Sequence, residues 1–251
     1  MFDVNSIDIS TFISYKGNVF IRKGFSENSK IFKYITKYEY FEDLLKSDTL
    51  YINKRNSFSD RRERGEFYNK KFHFYRFSVA NEKVPERVLE EWTYKDKQIK
   101  EACKLHTSCW TKKKEEDFLM WKAYSGRDGV RIETTIGKLV NSLSDVLSNT
   151  LFCGDMEYGK EKPFYEVVDS MFYKTPYYKN EEEFRVYIVE EKESADSIRL
   201  EISPIHMIEK VILSPFLPID DAKSKIKVLQ EKYKFLENKV SISEIIEERG
   251  E

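Results

Sequence analysis

The chain is poor in the residues that punctuate or cross-link a fold. Only 9 glycines and 6 prolines occur in 251 residues. They nowhere gather with serine into a linker, and no internal repeat appears, so a single domain is expected. Cys103, Cys109 and Cys153 are odd in number and lack a C-x-x-C spacing. That excludes a disulfide framework and a zinc knuckle, and points to a reducing, cytoplasmic setting. The 3 histidines are too scattered for a zinc site; His73, set among Phe72, Phe74 and Tyr75, reads as a packed residue. No P-loop, no G-x-G-x-x-G, no G-x-S-x-G elbow and no DNA-reading helix or finger pattern is present. The opening Met-Phe-Asp-Val-Asn-Ser has no basic segment leading into an apolar run, and no stretch reaches the ~18 apolar residues of a membrane helix. Neither export nor a membrane partner is expected.

Charge of one sign is also missing. Lys+Arg number 43 and Asp+Glu 44, for a net charge of -1, so the chain as a whole is not drawn to nucleic acid or anionic lipid. Nucleic acid as a target has no support from this balance. What the sequence does have is aromatic residues, 15% of the chain with 16 Tyr and 18 Phe. That is enough for a core and for the lining of a pocket.

The hydrophobic periods predict mixed structure. Residues 1–29 read as an N-terminal extension packing at an edge, with Val19–Arg22 as a strand. Ile31–Thr36 is β-branched and aromatic and predicts a strand; Tyr40–Lys46 has helical spacing; Leu50–Ile52 is a second strand. A polar loop follows, with Phe58 as anchor and Asp60 and Glu63 among Arg61, Arg62 and Arg64. Phe67–Gln98 is mostly helical in pattern, broken at Pro85. Strands are predicted at Thr107–Thr111, Val130–Glu133, Leu151–Cys153, Met156–Tyr158, Glu183–Val189 and Ile208–Leu213, and helices at Phe118–Tyr124, Ile136–Leu147, Phe164–Tyr173 and Ile219–Leu236. Ile198–Ile202 alternates cleanly and is expected to pair with Glu183–Val189 as a hairpin. Together these give one α+β domain over residues 30–246, a central mixed or antiparallel sheet flanked by helices, and a polar tail at 247–251.

The chain is organised around Phe172–Tyr187, where Glu181, Glu182 and Glu183 stand between an aromatic run and Arg185 at the start of an apolar strand. Carboxylates at the lip of a strand, beside rings and a guanidinium, suit a polar ligand; a solvated charged turn is the simpler alternative.

Four motifs in order resemble a bacterial domain-of-unknown-function family, number 2971. They are Lys33-Tyr34-Ile35-Thr36 with Phe41, Leu44 and Leu45; Phe58, Asp60 and Glu63; Met120, Trp121 and Tyr124 leading to Gly129-Val130; and Glu181, Glu183, Phe184 and Arg185. The likeness covers about residues 30 to 215, with Arg61 where the family usually has proline. More distantly, the opening unit is similar to ADP-ribosyltransferase-like toxins and RNA 2′-phosphotransferases. In those folds a split sheet cradles NAD, an aromatic stacks on nicotinamide and a late glutamate bonds the ribose. Their usual first-strand histidine or arginine is absent here; Lys33 stands nearby.

That likeness implies a nucleotide ligand with NAD as the substrate, and an NAD-consuming transferase or toxin in antiviral defence, with a protein partner from the same operon. Glu183 would stabilise oxocarbenium charge on the ribose and Glu181 would place or deprotonate the attacking group. Lys33, Arg131 or Arg185 would hold the pyrophosphate, and Tyr34, Trp121 or Tyr124 would stack on a ring. Two alternatives stand beside it. One is a metal-dependent nuclease-like enzyme with Mg²⁺ on Asp60, Glu63, Glu181 and Glu183; the other is a non-enzymatic sensor that binds a partner.

Overall fold

The computed structural model describes residues 2–58, 86–144, 149–159, 167–190 and 195–245. Asp60, Glu63, His73, the span 67–85 and the tail 247–251 lie outside the described residues.

The opening unit forms as its sequence dictates. Lys30–Ile35 is strand β3, Tyr38–Ser47 is helix α1 and Thr49–Lys54 is strand β4. Phe41, Leu44 and Leu45 recur at helical spacing and are all buried. Asp48 closes the helix in the left-handed conformation, φ 50°. Before this unit, strands β1 (Phe12–Lys16) and β2 (Val19–Arg22) pair antiparallel. The N-terminal segment is therefore part of the sheet: β2 runs parallel to β7 (Thr150–Asp155), and Val19 and Ile21 are buried in the core.

Among the described residues the main sheet has 11 strands, in the order β1-β2-β7-β10-β5-β3-β6-β12-β13, with β4 branching from β5 and β11 pairing with β4. The remaining members are β5 (His106–Thr111), β6 (Val130–Thr135), β10 (Glu183–Val189), β11 (Ser197–Glu201), β12 (Lys210–Leu213) and β13 (Val240–Ile242). The pairings are mixed, with β2–β7 and β12–β13 parallel. Strand β10 is buried at every residue, as expected of a strand covered on both faces.

One face packs on α1, on α4 (Ile136–Ser144) and on α7 (Ile219–Lys232), through Leu139, Val140, Ala222 and Leu229. The other face carries a second apolar cluster. There α2 (Glu86–Ala102) and α5 (Val167–Phe172) cover Phe152, Tyr187 and Val189 through Ile99, Ala102, Val168 and Met171. The α+β, helix-flanked, single-domain expectation agrees with this architecture.

The hairpin expected between β10 and Ile198–Ile202 does not form. Both edges of β10 are occupied, by β5 and β7, so β11 instead pairs with β4, Ile198 opposite Ile52 and Leu200 opposite Leu50.

The sheet forks at β5. On its edge away from β10, β3 meets it only at Phe32–Thr111, and β4 only at Asn53–Thr107 and Lys54–His106. Among the described residues no strand pairs with Ser108–Trp110 on that edge. The wedge between β3 and β4 places side chains from three strands around one hollow.

Candidate functional site

A pocket of about 410 Å³ occupies the fork, within the roughly 300–1,000 Å³ typical of small-molecule sites. Its lining includes Lys33 and Tyr34 of β3, Tyr51 and Asn53 of β4, Cys109 and Trp110 of β5, and Glu183 and Arg185 of β10. Phe58, Tyr124, Lys174, Tyr178 and Glu181 also line it.

The polar floor is built by a tight turn. Pro176–Glu181 forms a 3-10 turn that ends at Glu182, which takes the left-handed conformation at φ 43°. A non-glycine residue held there is strained, and such strain gathers at functional sites. Glu182 faces solvent, while Glu181 and Glu183 turn inward. The turn is locked to β5: Thr111 Oγ1 donates to the Glu181 carbonyl at 2.6 Å and Lys112 N–H to the Glu182 carbonyl at 2.8 Å.

Both glutamates share one cation. Lys174 Nζ lies 2.6 Å from Glu181 Oε2 and 3.0 Å from Glu183 Oε2. Arg185, 1% exposed, donates from Nε to Glu183 Oε1 and from Nη2 to Oε2 at 3.1 Å. Its Nη1 donates to Tyr187 Oη at 3.1 Å. Glu183 is thus clamped in two-pronged fashion, 5% exposed. Glu181 is the more open carboxylate; its Oε1 accepts from the Tyr124 hydroxyl. Burial, reinforced by the Glu181 charge, pushes the Tyr124 phenol up, so it stays a donor. Tyr158 receives the Glu183 N–H at 2.7 Å, and burial pushes its phenol up too.

Lys33 has a different environment. Its Nζ lies 3.3 Å from Ser108 Oγ and 3.2 Å from the Cys109 carbonyl, over the Trp110 ring at 5.5 Å. It caps backbone that the fork leaves without a strand partner. Burial pulls its ammonium below the usual lysine range, more than the nearby Glu183 carboxylate restores. Burial, with Glu183 beside it, raises the Cys109 thiol.

Of the residues expected from sequence, Lys33, Tyr34, Tyr124, Glu181, Glu183 and Arg185 meet around this hollow. Trp121 and Arg131 do not line it. Trp121 is completely buried beneath Tyr34, edge-on at 4.9 Å, and its Nε1 donates to Glu116 at 2.9 Å. It supports a wall residue and offers no face to a ligand. Arg131 Nη2 donates to the carbonyls of Lys113 and Lys114, both at 2.9 Å, and its guanidinium stacks on Phe32 at 3.8 Å. It is committed to holding a loop. Arg185 is likewise committed to Glu183, so neither guanidinium is placed to take a pyrophosphate.

Lys174 was missed as a site residue. It lies within the central stretch, but it comes from the two-residue strand β9 (Tyr173–Lys174), and only the Pro176–Glu181 turn folds it back onto the glutamates. Tyr51, Cys109, Trp110 and Tyr178 were missed too. The alternation of aromatic and polar residues along β4 and β5 carried their signal, but not the fork that makes them neighbours.

Among the described residues no group of three or more metal-ligating side chains occurs, and the two glutamates share an ammonium. The Mg²⁺ alternative draws on Asp60 and Glu63, outside the described residues. No helix among the described residues is long and apolar enough to cross a membrane. No protein-family profile matches the chain, and comparisons with curated proteins and with solved structures returned no significant match.

Proposed function

We propose that the forked pocket binds a ribose-bearing nucleotide of the NAD type and cleaves its N-glycosidic bond. One observation carries this reading. Two carboxylates, one at the end of the 3-10 turn and one at the start of β10, share Lys174 on the floor of a hollow walled by Tyr34, Tyr51, Trp110, Tyr124 and Tyr178. Planar rings and a sugar suit such walls, which offer apolar faces and phenolic donors together.

The chemistry assigns unequal roles. As the glycosidic bond breaks, positive charge develops at the ribose carbon, and a fixed carboxylate lowers that barrier electrostatically. Glu181 is the better placed of the two, because Glu183 is already saturated by Arg185 and Lys174. Glu183 then fixes Lys174, and Lys174 fixes Glu181. Tyr124, kept protonated, donates to Glu181 and orients it, and its oxygen can accept from a ligand hydroxyl. Lys174 is the pocket cation this reading assigns to an anionic ligand group. An enzyme that consumes a dinucleotide harms its own cell unless restrained, which fits a defence effector controlled by a protein partner.

Incubation with NAD, followed by chromatography for nicotinamide, tests the reading. Wild type should release nicotinamide, and Glu181→Gln should lose at least about 10²-fold in rate, as removal of a carboxylate acting on developing charge does. The variant should still fold, since the glutamine oxygen can accept from Lys174 and Lys174 keeps Glu183 as a partner. Tight NAD binding without turnover would favour a sensor instead. Neither binding nor turnover would dispose of the nucleotide reading.

A further inference from the structure

We propose that Lys33 is an imine-forming amine, and that the group it takes is the free C1 aldehyde of a pentose phosphate. This rests on the reading that the pocket receives a ribose, and it names the form of that sugar the site captures: the open-chain aldehyde that glycosidic cleavage exposes.

Three observations support it. First, Lys33 lines the pocket but makes no ion pair among the described residues; its partners within hydrogen-bond distance are the neutral Ser108 Oγ and Cys109 carbonyl. The other pocket lysine, Lys174, is held by two carboxylates. Second, the Ser108 hydroxyl accepts from Trp110 Nε1 at 3.0 Å. Among the described residues, the group left within its reach is Lys33 Nζ at 3.3 Å. Its second lone pair receives Lys33 Nζ, so the amine is held at the pocket wall by neutral acceptors, Ser108 Oγ and the Cys109 carbonyl, with no counter-charge in contact among the described residues to retain a proton. Third, burial opposes the ammonium form at this position. Desolvated lysines of this kind are the ones that act as nucleophiles toward carbonyls.

The step is balanced without an oxidant or reductant. The Nζ lone pair adds to the aldehyde carbon, the C=O π pair moves to oxygen, and that oxygen takes the proton the nitrogen sheds. In the resulting carbinolamine the nitrogen lone pair forms C=N. The C–O bond breaks, and the oxygen leaves as water after gaining one proton from solvent, which the iminium nitrogen returns. The net change is amine plus aldehyde to imine plus water. Hydrolysis reverses it and frees the sugar.

The test uses the full chain at pH 7 with ribose 5-phosphate and cyanoborohydride, which reduces an imine to a stable secondary amine. Peptide mass spectrometry maps the label, so the result does not depend on any variant folding. Lys33 should carry roughly tenfold more label than surface lysines such as Lys46 and Lys223, as expected of a lysine that is free amine at neutral pH. In Lys33→Met that excess should vanish and not move to Lys174. Label on Lys33 no greater than on surface lysines, or concentrated on Lys174, overturns the proposal even if NAD is hydrolysed. Selective label on Lys33 that NAD neither protects nor matches with turnover upholds the imine and removes the NAD reading, so the two failures are distinct.

Discussion

Two polar clusters flank the sheet fork, and they are built from similar parts to opposite ends. One surrounds Glu116 and Arg131. Glu116 Oε2 accepts from Trp121 Nε1 at 2.9 Å and Ser243 Oγ at 2.6 Å, and its Oε1 accepts from the Glu244 N–H at 3.0 Å. Arg131 holds two backbone carbonyls. There, each charge meets neutral groups and stitches a loop to a terminus. The other surrounds Glu183. There, charge meets charge: Arg185, Lys174, Glu181 and Glu183 form a chain of ion pairs that opens onto the pocket. A charge satisfied by backbone dipoles fixes a shape. A chain of charges beside a cavity can instead exchange a partner for a ligand group, and this is what makes the second cluster the candidate site.

The largest expected effect sharpens this contrast. Arg185→Met removes the two-pronged partner of Glu183 and leaves it only Lys174, which it shares with Glu181; breaking a buried pair from one side costs about 3–5 kcal/mol. Urea denaturation should show it, and the double variant Glu183→Gln/Arg185→Met should regain much of the loss, because no uncompensated charge remains. A loss under about 1 kcal/mol would mean Glu183 is not held by that charge, and the contrast would break. Next comes Arg131→Met. Losing two charge-assisted bonds and the stack on Phe32 should cost about 2–3 kcal/mol, with labelling of Lys33 unchanged. If Lys33 labelling fell in step, the two clusters would be one. Smaller again, Trp121→Phe removes one hydrogen bond and leaves Glu116 with Ser243 and Glu244, for about 1 kcal/mol by the same denaturation assay.

Much of this fold was legible because local pattern and final burial agree. The opening strand-helix-strand unit follows its β-branched run and its 3.6-residue period, and β10 follows its apolar run. The failures have physical causes. Trp121 stands in the same motif as Met120 and Tyr124, yet helix α3 (Phe118–Tyr124) has only 7 residues. It turns Trp121 under Tyr34 and leaves Tyr124 43% exposed above Glu181. Arg131 alternates like a solvent-facing residue, but a guanidinium is weakly hydrated enough to lie flat on Phe32 when carbonyls meet its edge. The partner of β11 was unreadable because pairing depends on which edges are already taken. The candidate carboxylates could be read because three acids at a strand start are unusual in any core. Their shared cation could not, because a 3-10 turn, with no periodic signature, brings Lys174 back to them.

The last contrast is between the two pocket lysines, and its effect is a slope, small at any one pH. Burial lowers the Lys33 ammonium in the folded chain, so between its folded and ordinary values the unfolded chain binds more protons. Stability then rises with pH across that window. The sign is that of any group lowered by folding: its contribution is full above the unfolded value of about 10.4 and is lost as pH falls toward the folded value. Lys33→Met removes the titration. The variant should therefore gain on wild type as pH falls from 10 to 6, with other groups common to both chains cancelling in the difference. Lost bonds to Ser108 and Cys109 add only a pH-independent offset. Urea midpoints at five pH values give the curve. A flat difference would mean that Lys33 keeps an ordinary ammonium in the folded chain, and Lys33 would then join Lys174 as a charged pocket lysine, leaving the pocket no lysine held apart as a free amine.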